Sequence, residues 1–338
     1  MPFIFSVYLK IRHLNFDIIH THTEFTVGLM GRFFSMHMQI PMVHTYHTIY
    51  EDYTHYIASI KTVQSLVKKI IVKGSREYVK PATAVIVPSE KTKKLMLKYN
   101  VRSQIYILPT GIDLEKFGRP DCEKMLEIRK SLNITSDDRI ILVLGRISAE
   151  KSIDLVVKSM PEILRKIPCA KLIIVGDGPY RKDLEEIAES LDLRKNVIFT
   201  GRVCFDDVPN YYAIADVFVS ASRTETQGLT ICEAMASGTP VAVYDDENVT
   251  GIILHGESGL LFKTSEELGD SIFSILSDDK KAKLLAEGGL KSINNLSKES
   301  FARYAVKIYR DLVASHYEDI GQSSGSFFKN RFGTGLKD

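Results

Sequence analysis

Between residues 140 and 244, short apolar runs rich in β-branched residues alternate with longer amphipathic segments, and this alternation limits the fold more than any other feature of the chain. The runs are Ile140 to Gly145, Lys171 to Gly176, Asn196 to Gly201, Asp216 to Ser220 and Pro240 to Tyr244. Helical patterns fall at about 152–166, 179–191, 207–214 and 228–236, with a further one at 265–296. Such strands separated by helices predict a parallel sheet covered on both faces, because each parallel crossover needs a helix to return the chain. Ligands of these sheets bind outside the carboxyl ends of the strands, so the residues after each strand form the candidate site. The first part of the chain repeats the style more briefly, with strands expected near 17–20, 42–45, 84–88 and 105–108 and helices near 25–37, 54–79 and 90–99. Leu108-Pro109-Thr110-Gly111 reads as the start of an interdomain connection. The expectation is an α/β protein of two doubly wound, Rossmann-like units at 1–117 and 118–298. A helix at about 299–318 is expected to pack back on the first unit, ahead of a polar tail at 319–338.

Charge divides the two units. Residues 1–117 hold 15 Lys and Arg against 8 Asp and Glu, net +7, which leaves net −5 for the remainder. That asymmetry suits docking on an anionic surface through the first unit alone. No run approaches the ~18–20 apolar residues of a membrane span, and Lys10 and Arg12 follow the apolar opening Met1 to Leu9 without a small-residue cleavage site. A cytoplasmic chain is expected. Cys122, Cys169, Cys204 and Cys232 form no CxxC pair and read as reduced, partly buried thiols.

The strand ends carry the candidate chemistry. After Ile141 to Leu144 comes Gly145-Arg146-Ile147-Ser148-Ala149-Glu150-Lys151, a turn with two cations ahead of a helix. An arginine fork and a lysine point charge suit a diphosphate, although the loop taken alone also reads as a solvated basic turn. Gly176-Asp177-Gly178-Pro179 ends the next strand, with glycines that permit close backbone approach. Neither GxGxxG nor GxxxxGK[ST] occurs, so dinucleotide and P-loop readings lose their main support. The most informative segment is Ser220 to Pro240, which passes from a strand through a polar loop into an apolar helix. Amides around Gln227, Gly228, Leu229 and Thr230 lie at a helix N-terminus, placed for phosphate or a sugar hydroxyl. Glu225 in the loop and Glu233 on the helix are expected to face one cavity, or else to be ordinary helix and surface charges.

Glu225, seven residues and Glu233, with Gly-Leu between and Glu-Ala-Met-Ala-Ser-Gly-Thr-Pro after, resembles the EX7E motif of retaining family 4 glycosyltransferases of the GT-B fold. The agreement extends over about 140–265 through Gly145-Arg146, Glu150-Lys151, Gly176-Asp177-Gly178-Pro179 and Gly201. The resemblance implies two Rossmann-like domains facing a cleft and a UDP-sugar donor with no further cofactor. It implies that Arg146 and Lys151 hold the diphosphate, Glu225 the transferred sugar, Glu233 the ribose, and the backbone near Val203 the base. No Asp-x-Asp is present to hold a metal-bound diphosphate.

Seven of the nine histidines precede residue 56, but His20/His22 and His44/His47 show no third-ligand pattern for a metal. The stretch His44-Thr45-Tyr46-His47-Thr48-Ile49-Tyr50-Glu51-Asp52-Tyr53 resembles bacterial diacylglycerol glucosyltransferases, which implies that His47 approaches the donor sugar. The resemblance implies transfer of glucose from UDP-glucose, with retention, to a diacylglycerol-type lipid for membrane glycolipid or lipoteichoic-acid anchor synthesis. Lys61, Lys68, Lys69, Lys73, Arg76 and Lys80 interleave with apolar residues, as on a helix lying on anionic lipid at the inner membrane face. A solvated helix is the plainer alternative, and no stacking platform or RNA motif supports nucleic acid. By the same resemblance a first strand and glycine-rich loop are expected ahead of residue 17, where only about 16 residues stand. This keeps open a truncated, non-catalytic module that binds nucleotide or lipid.

Overall fold

The computed structural model describes residues 2–53, 61–247, 249 and 251–319, so the start of the helix expected at 54–79 and nearly all of the expected tail 319–338 lie outside the described residues. Two compact units are present: residues up to Pro109 together with those from Phe301 onward, and Thr110–Ser300.

In the first unit, α1 (Pro2–Ile11) precedes a four-stranded parallel sheet of β1 (Ile19–Thr21), β2 (Met42–Thr45), β3 (Ala84–Val87) and β4 (Gln104–Ile107), in that spatial order. The crossovers carry α2 (Thr26–Met38), α3 (Lys61–Val79) and α4 (Glu90–Lys98). Ser89 caps α4 by accepting from the Thr92 amide. Side chains alternate across β3: Val85 and Val87 pack with Met96 and Tyr99 on one face, and Ala84 and Ile86 belong to a second cluster.

The second unit opens with the one-turn helix α5 (Leu114–Phe117) and α6 (Cys122–Ser131). It then alternates β5 (Arg139–Leu144), α7 (Ile153–Lys166), β6 (Ala170–Val175), α8 (Arg181–Ser190), β7 (Val197–Gly201), α9 (Val208–Ala213), β8 (Val217–Ser220), α10 (Leu229–Ala236) and β9 (Val241–Tyr244). It closes with β10 (Leu260–Phe262), α11 (Ser265–Leu276) and α12 (Asp279–Ser292). All six strands are parallel in the order β10-β9-β8-β5-β6-β7, the doubly wound order that reverses direction between β5 and β8. Strand β5 is apolar throughout its centre because both faces are covered: Ile141 and Val143 pack under α7, and Ile140 and Leu142 under α10. The final helix, α13 (Lys298–Asp319), places Ala305, Ile308 and Leu312 against Val43, Ala84 and Ile86 of the first sheet.

Three expectations need correction. The boundary lies at Pro109/Thr110, not 117/118, because residues 110–117 are built into the second unit. Phe117 is buried in its core, and the Ile112 amide donates to the Leu296 carbonyl at 2.8 Å. The single helical pattern at 265–296 is two helices, since the Asp278 side chain accepts from the Lys280 and Lys281 amides and starts a new one. Of the four free cysteines, only Cys232 is buried, and the other three are exposed. Among the described residues, no helix is long and apolar enough to cross a membrane.

Candidate functional site

The order reversal between β5 and β8 leaves a crevice at their carboxyl ends, and the loops that leave these strands carry the predicted diphosphate and sugar groups. A cavity of about 190 Å³ lies there, lined by Gly145, Arg146, Lys151, Ser220, Glu225 and Thr230 among others. Five of the residues predicted from sequence thus meet in one place. Lys151 ends a 3₁₀ turn (Ala149–Lys151) and its Nζ donates to Glu225 Oε1 at 2.7 Å. The Glu225 side chain is 11% exposed and that of Lys151 31%, so the pair is shielded and cation and carboxylate act as one unit.

The remaining predicted donor residues are distributed around this cavity's supporting structure. Glu233 does not line it: the side chain meets α9, where the Tyr212 hydroxyl donates to Oε2 at 3.0 Å. Burial raises the Glu233 carboxyl above the usual carboxylate range, partly offset by that hydrogen bond and by Lys116. Gln227 uses its side chain structurally, accepting from the Thr110 amide at 2.7 Å and donating to the Thr110 carbonyl at 2.9 Å. Sequence reading missed this clamp because 117 residues separate the partners. Gly228 is left-handed, with φ of 74°, and its carbonyl accepts the Ile231 and Cys232 amides. The amides of Leu229 and Thr230 occupy the first turn, where an α-helix has no internal acceptor. Val203 is partly buried against the second-unit core after β7.

Gly176 and Gly178 permit the close backbone approach expected of them, and the backbone they approach is that of the β5 loop. A Cβ on Gly176 would stand 1.9 Å from the Gly145 carbonyl oxygen, and one on Gly178 would stand 2.0 Å from that of Ile147. The glycines therefore let the β6 loop support the Arg146 loop. We expect Gly178→Ala to destabilise the second unit by ~1–3 kcal/mol and to weaken UDP binding as the Arg146 loop shifts. Thermal melts and a UDP titration check this; an unchanged Tm would reject the supporting role.

In the first unit, histidines and a carboxylate collect at the carboxyl ends of β1 and β2. His47 and His22 are exposed and hydrogen-bonded at 2.9 Å. His20 bonds Tyr309 at 2.5 Å and Thr45 at 2.6 Å. Glu24 bonds His44 at 3.3 Å and accepts from the Tyr50 hydroxyl at 2.6 Å. Burial opposes the Glu24 charge, but these two partners outweigh it and hold the carboxyl below its usual range. Burial, reinforced by His22, His44 and His47, pushes His20 down to about 3. The folded His20 thus stays neutral where the unfolded chain, near 6.5, takes up a proton. Stability from this group is complete above pH 6.5 and declines as pH falls from there toward 3, by at most about 1.4 kcal/mol per pH unit and less given its partial exposure. Melts from pH 7.5 to 5.0 should show a steeper decline for wild type than for His20→Gln. Equal slopes would remove His20 as the cause.

Helix α3 holds the predicted membrane cations from Lys61 to Arg76, and Lys80 follows its last residue. Val63, Leu66 and Ile70 are 43%, 59% and 62% exposed at helical spacing, alongside exposed Lys68, Lys69 and Lys73. Not every cation there is equally available: Lys68 pairs with Glu51, and Glu77 pairs with Arg76 at 3.4 Å and Lys80 at 3.8 Å.

Comparison with known proteins agrees with this architecture. The family model described as Glycosyl transferases group 1 matches residues 124–292, and the one described as Glycosyltransferase Family 4 matches residues 1–116. An alpha-monoglucosyldiacylglycerol synthase from Streptococcus pneumoniae is 37% identical over 317 residues, covering 92% of this chain and 70% of the relative. One of the same name from Acholeplasma laidlawii is 33% identical, covering 93% of this chain and 80% of the relative. Among solved structures, Anabaena HepE in complex with UDP and glucose superposes with a TM-score of 0.77 at 19% identity, covering 91% of this chain and 81% of that one. The sucrose-phosphate synthase of Thermosynechococcus elongatus gives 0.77 at 26% identity, covering 93% and 78%. With the two family models matched over 1–116 and 124–292 and relatives of 37% and 33% identity spanning most of the chain, the chain belongs to the group 1, family 4 glycosyltransferases of the GT-B fold and is a hexosyltransferase.

Proposed function

We propose that this enzyme transfers glucose from UDP-glucose, with retention at the anomeric carbon, to a diacylglycerol-type lipid at the inner face of the cell membrane. Its product would serve membrane glycolipid or lipoteichoic-acid anchor synthesis. The observation that carries the reading is the convergence of Arg146, Lys151, Glu225 and Thr230 at the β5/β8 crevice, in a chain whose relatives are named alpha-monoglucosyldiacylglycerol synthases. As the bond between the anomeric carbon and the diphosphate oxygen breaks, negative charge grows on the diphosphate. Arg146, Lys151 and the first-turn amides of α10 are the groups that stabilise it. The acceptor hydroxyl bonds to the anomeric carbon on the face the diphosphate leaves, and its proton passes to the departing diphosphate. Glu225 holds Lys151 in place and accepts from sugar hydroxyls, Glu233 binds the ribose with Tyr212 behind it, and the backbone near Val203 meets the base. The family resemblance makes His47 the first unit's contribution to sugar binding. The lipid surface is met by α3, with Val63, Leu66 and Ile70 entering the interface and Lys69 and Lys73 attracting anionic headgroups.

A screen of nucleotide sugars against membrane lipids, read by mass spectrometry, tests the proposal. Formation of a hexosyl-diacylglycerol from UDP-glucose, with an α linkage by NMR, is the expected result. UDP binding without any transfer would favour the non-catalytic module instead, and exclusive use of another donor would overturn the glucose assignment.

A further inference from the structure

One group in the β5/β8 crevice has the wrong charge for a site that holds a diphosphate. Arg146 and Lys151 line the cavity there, and so does the Glu225 carboxylate, which accepts from the Lys151 Nζ at 2.7 Å. Both side chains are shielded from water, so the pair is weakly screened. A diphosphate drawn onto Lys151 brings its own oxygens against that carboxylate, and like charges at such range repel strongly. Diphosphate and carboxylate therefore compete for one ammonium group. The cavity is also small, at about 190 Å³. Sites that enclose a small ligand run to roughly 300–1,000 Å³, so a sugar and a diphosphate together require Glu225 and its loop to give way.

The loop that carries Glu225 is anchored at both ends. Strand β8 ends at Ser220, and beyond the loop Gln227 is clamped to the Thr110 backbone by bonds of 2.7 and 2.9 Å. Between these anchors the Ser222 Oγ is buried and has no hydrogen-bond partner among the described residues. A buried hydroxyl left without a partner costs free energy, and an arrangement of 223–226 that supplies one regains it. Displacing Glu225 from Lys151 thus has a compensating gain close by.

We propose that Glu225 discriminates the intact nucleotide sugar from the spent nucleotide by competing with the diphosphate for Lys151. The inference rests on the donor reading above and adds a reason for the product to leave. An intact donor brings sugar hydroxyls, which take the carboxylate as their acceptor and release Lys151 to the diphosphate. UDP brings none, so Glu225 returns to Lys151 and loosens the hold on the diphosphate. Only hydrogen bonds and ion pairs are exchanged, and no covalent bond changes in this step.

Calorimetric titration of UDP, UDP-glucose and inorganic pyrophosphate, with no lipid present, tests this on wild type and Glu225→Gln. Glutamine keeps the size of the side chain and an amide oxygen for sugar hydroxyls, but carries no charge to hold Lys151. Glu225→Gln should bind UDP and pyrophosphate more tightly than wild type by roughly tenfold or more, because it removes a like-charge contact. Its affinity for UDP-glucose should stay within about threefold of wild type, since the sugar hydroxyls keep an acceptor. Wild type itself should bind UDP-glucose more tightly than UDP, a difference that needs no variant to fold. Unchanged UDP affinity in Glu225→Gln would overturn the competition. Equal tightening of UDP and UDP-glucose would overturn the discrimination and leave Glu225 as a general source of negative field. Wild type that binds UDP as tightly as UDP-glucose would overturn it as well. If wild type transfers no glucose to diacylglycerol while Glu225→Gln still gains UDP affinity alone, the proposed reaction falls and the competition stands.

Discussion

Arg146→Ala and Lys151→Ala are each expected to lower kcat/KM for the UDP-sugar by roughly one to three orders of magnitude, at about 1.4 kcal/mol per tenfold. Each removes a cation from the oxygens on which charge develops. The two should differ in one respect that follows from the 2.7 Å contact between Lys151 and Glu225. Removing Lys151 leaves a shielded carboxylate beside the phosphates, so Lys151→Ala should be the more damaging of the two. The double variant Lys151→Ala/Glu225→Ala should then lose less than the sum of the single losses, because residues in direct contact are not additive. Glu233→Ala should mainly raise the donor KM, as ribose contacts are similar in ground and transition states. Steady-state kinetics on folded variants, with melts as control, check all of these. Wild-type kcat/KM in the Arg146/Lys151 double variant would remove both residues from the reaction, and full additivity with Glu225 would show that the ion pair has no part in it.

Neutralising Lys69 and Lys73 together should weaken partitioning onto anionic vesicles by about 2 kcal/mol, or roughly thirtyfold, if each contributes about 1 kcal/mol near the surface. Lys68 should contribute less, since it is paired with Glu51. The wild-type protein should need anionic lipid and should release it as salt shortens the screening length from ~10 Å at 0.1 M to ~3 Å at 1 M. Leu66→Ser and Ile70→Ser should weaken binding in a way that salt does not mimic, because they remove buried apolar area and not charge. Vesicle co-sedimentation across a salt series reads both components. Wild-type partitioning by the Lys69/Lys73 variant would make these lysines a solvated face.

The sheet-forming parts of the chain were legible because burial on both faces leaves a local mark. Arg139–Leu144 and Ala170–Val175 are near-continuous β-branched and aliphatic runs, and each is followed by glycine. Strand β10 went unread because three residues, Leu260–Phe262, are too few to carry a period. The strand-end motifs of the proposed donor site stand out in the chain because Gly145 to Lys151 and Ser220 to Glu233 are contiguous in sequence, and the fold fixes where strand ends point.

Sequence by itself therefore determined the alternating α/β pattern, the identity of the groups at the β5 and β8 ends and the charge asymmetry of the two units. Tertiary structure alone decided which distant groups are partners. It pairs Lys151 with Glu225 and Gln227 with Thr110, assigns residues 110–117 to the second unit, and sets Glu233 against Tyr212. The physical reason is range. Helix period, strand burial and caps act over a few residues and leave a pattern in the chain. A salt bridge, a clamp or a cavity depends on atoms brought together across tens to hundreds of residues, and nothing local in the sequence records which partner the packing will supply.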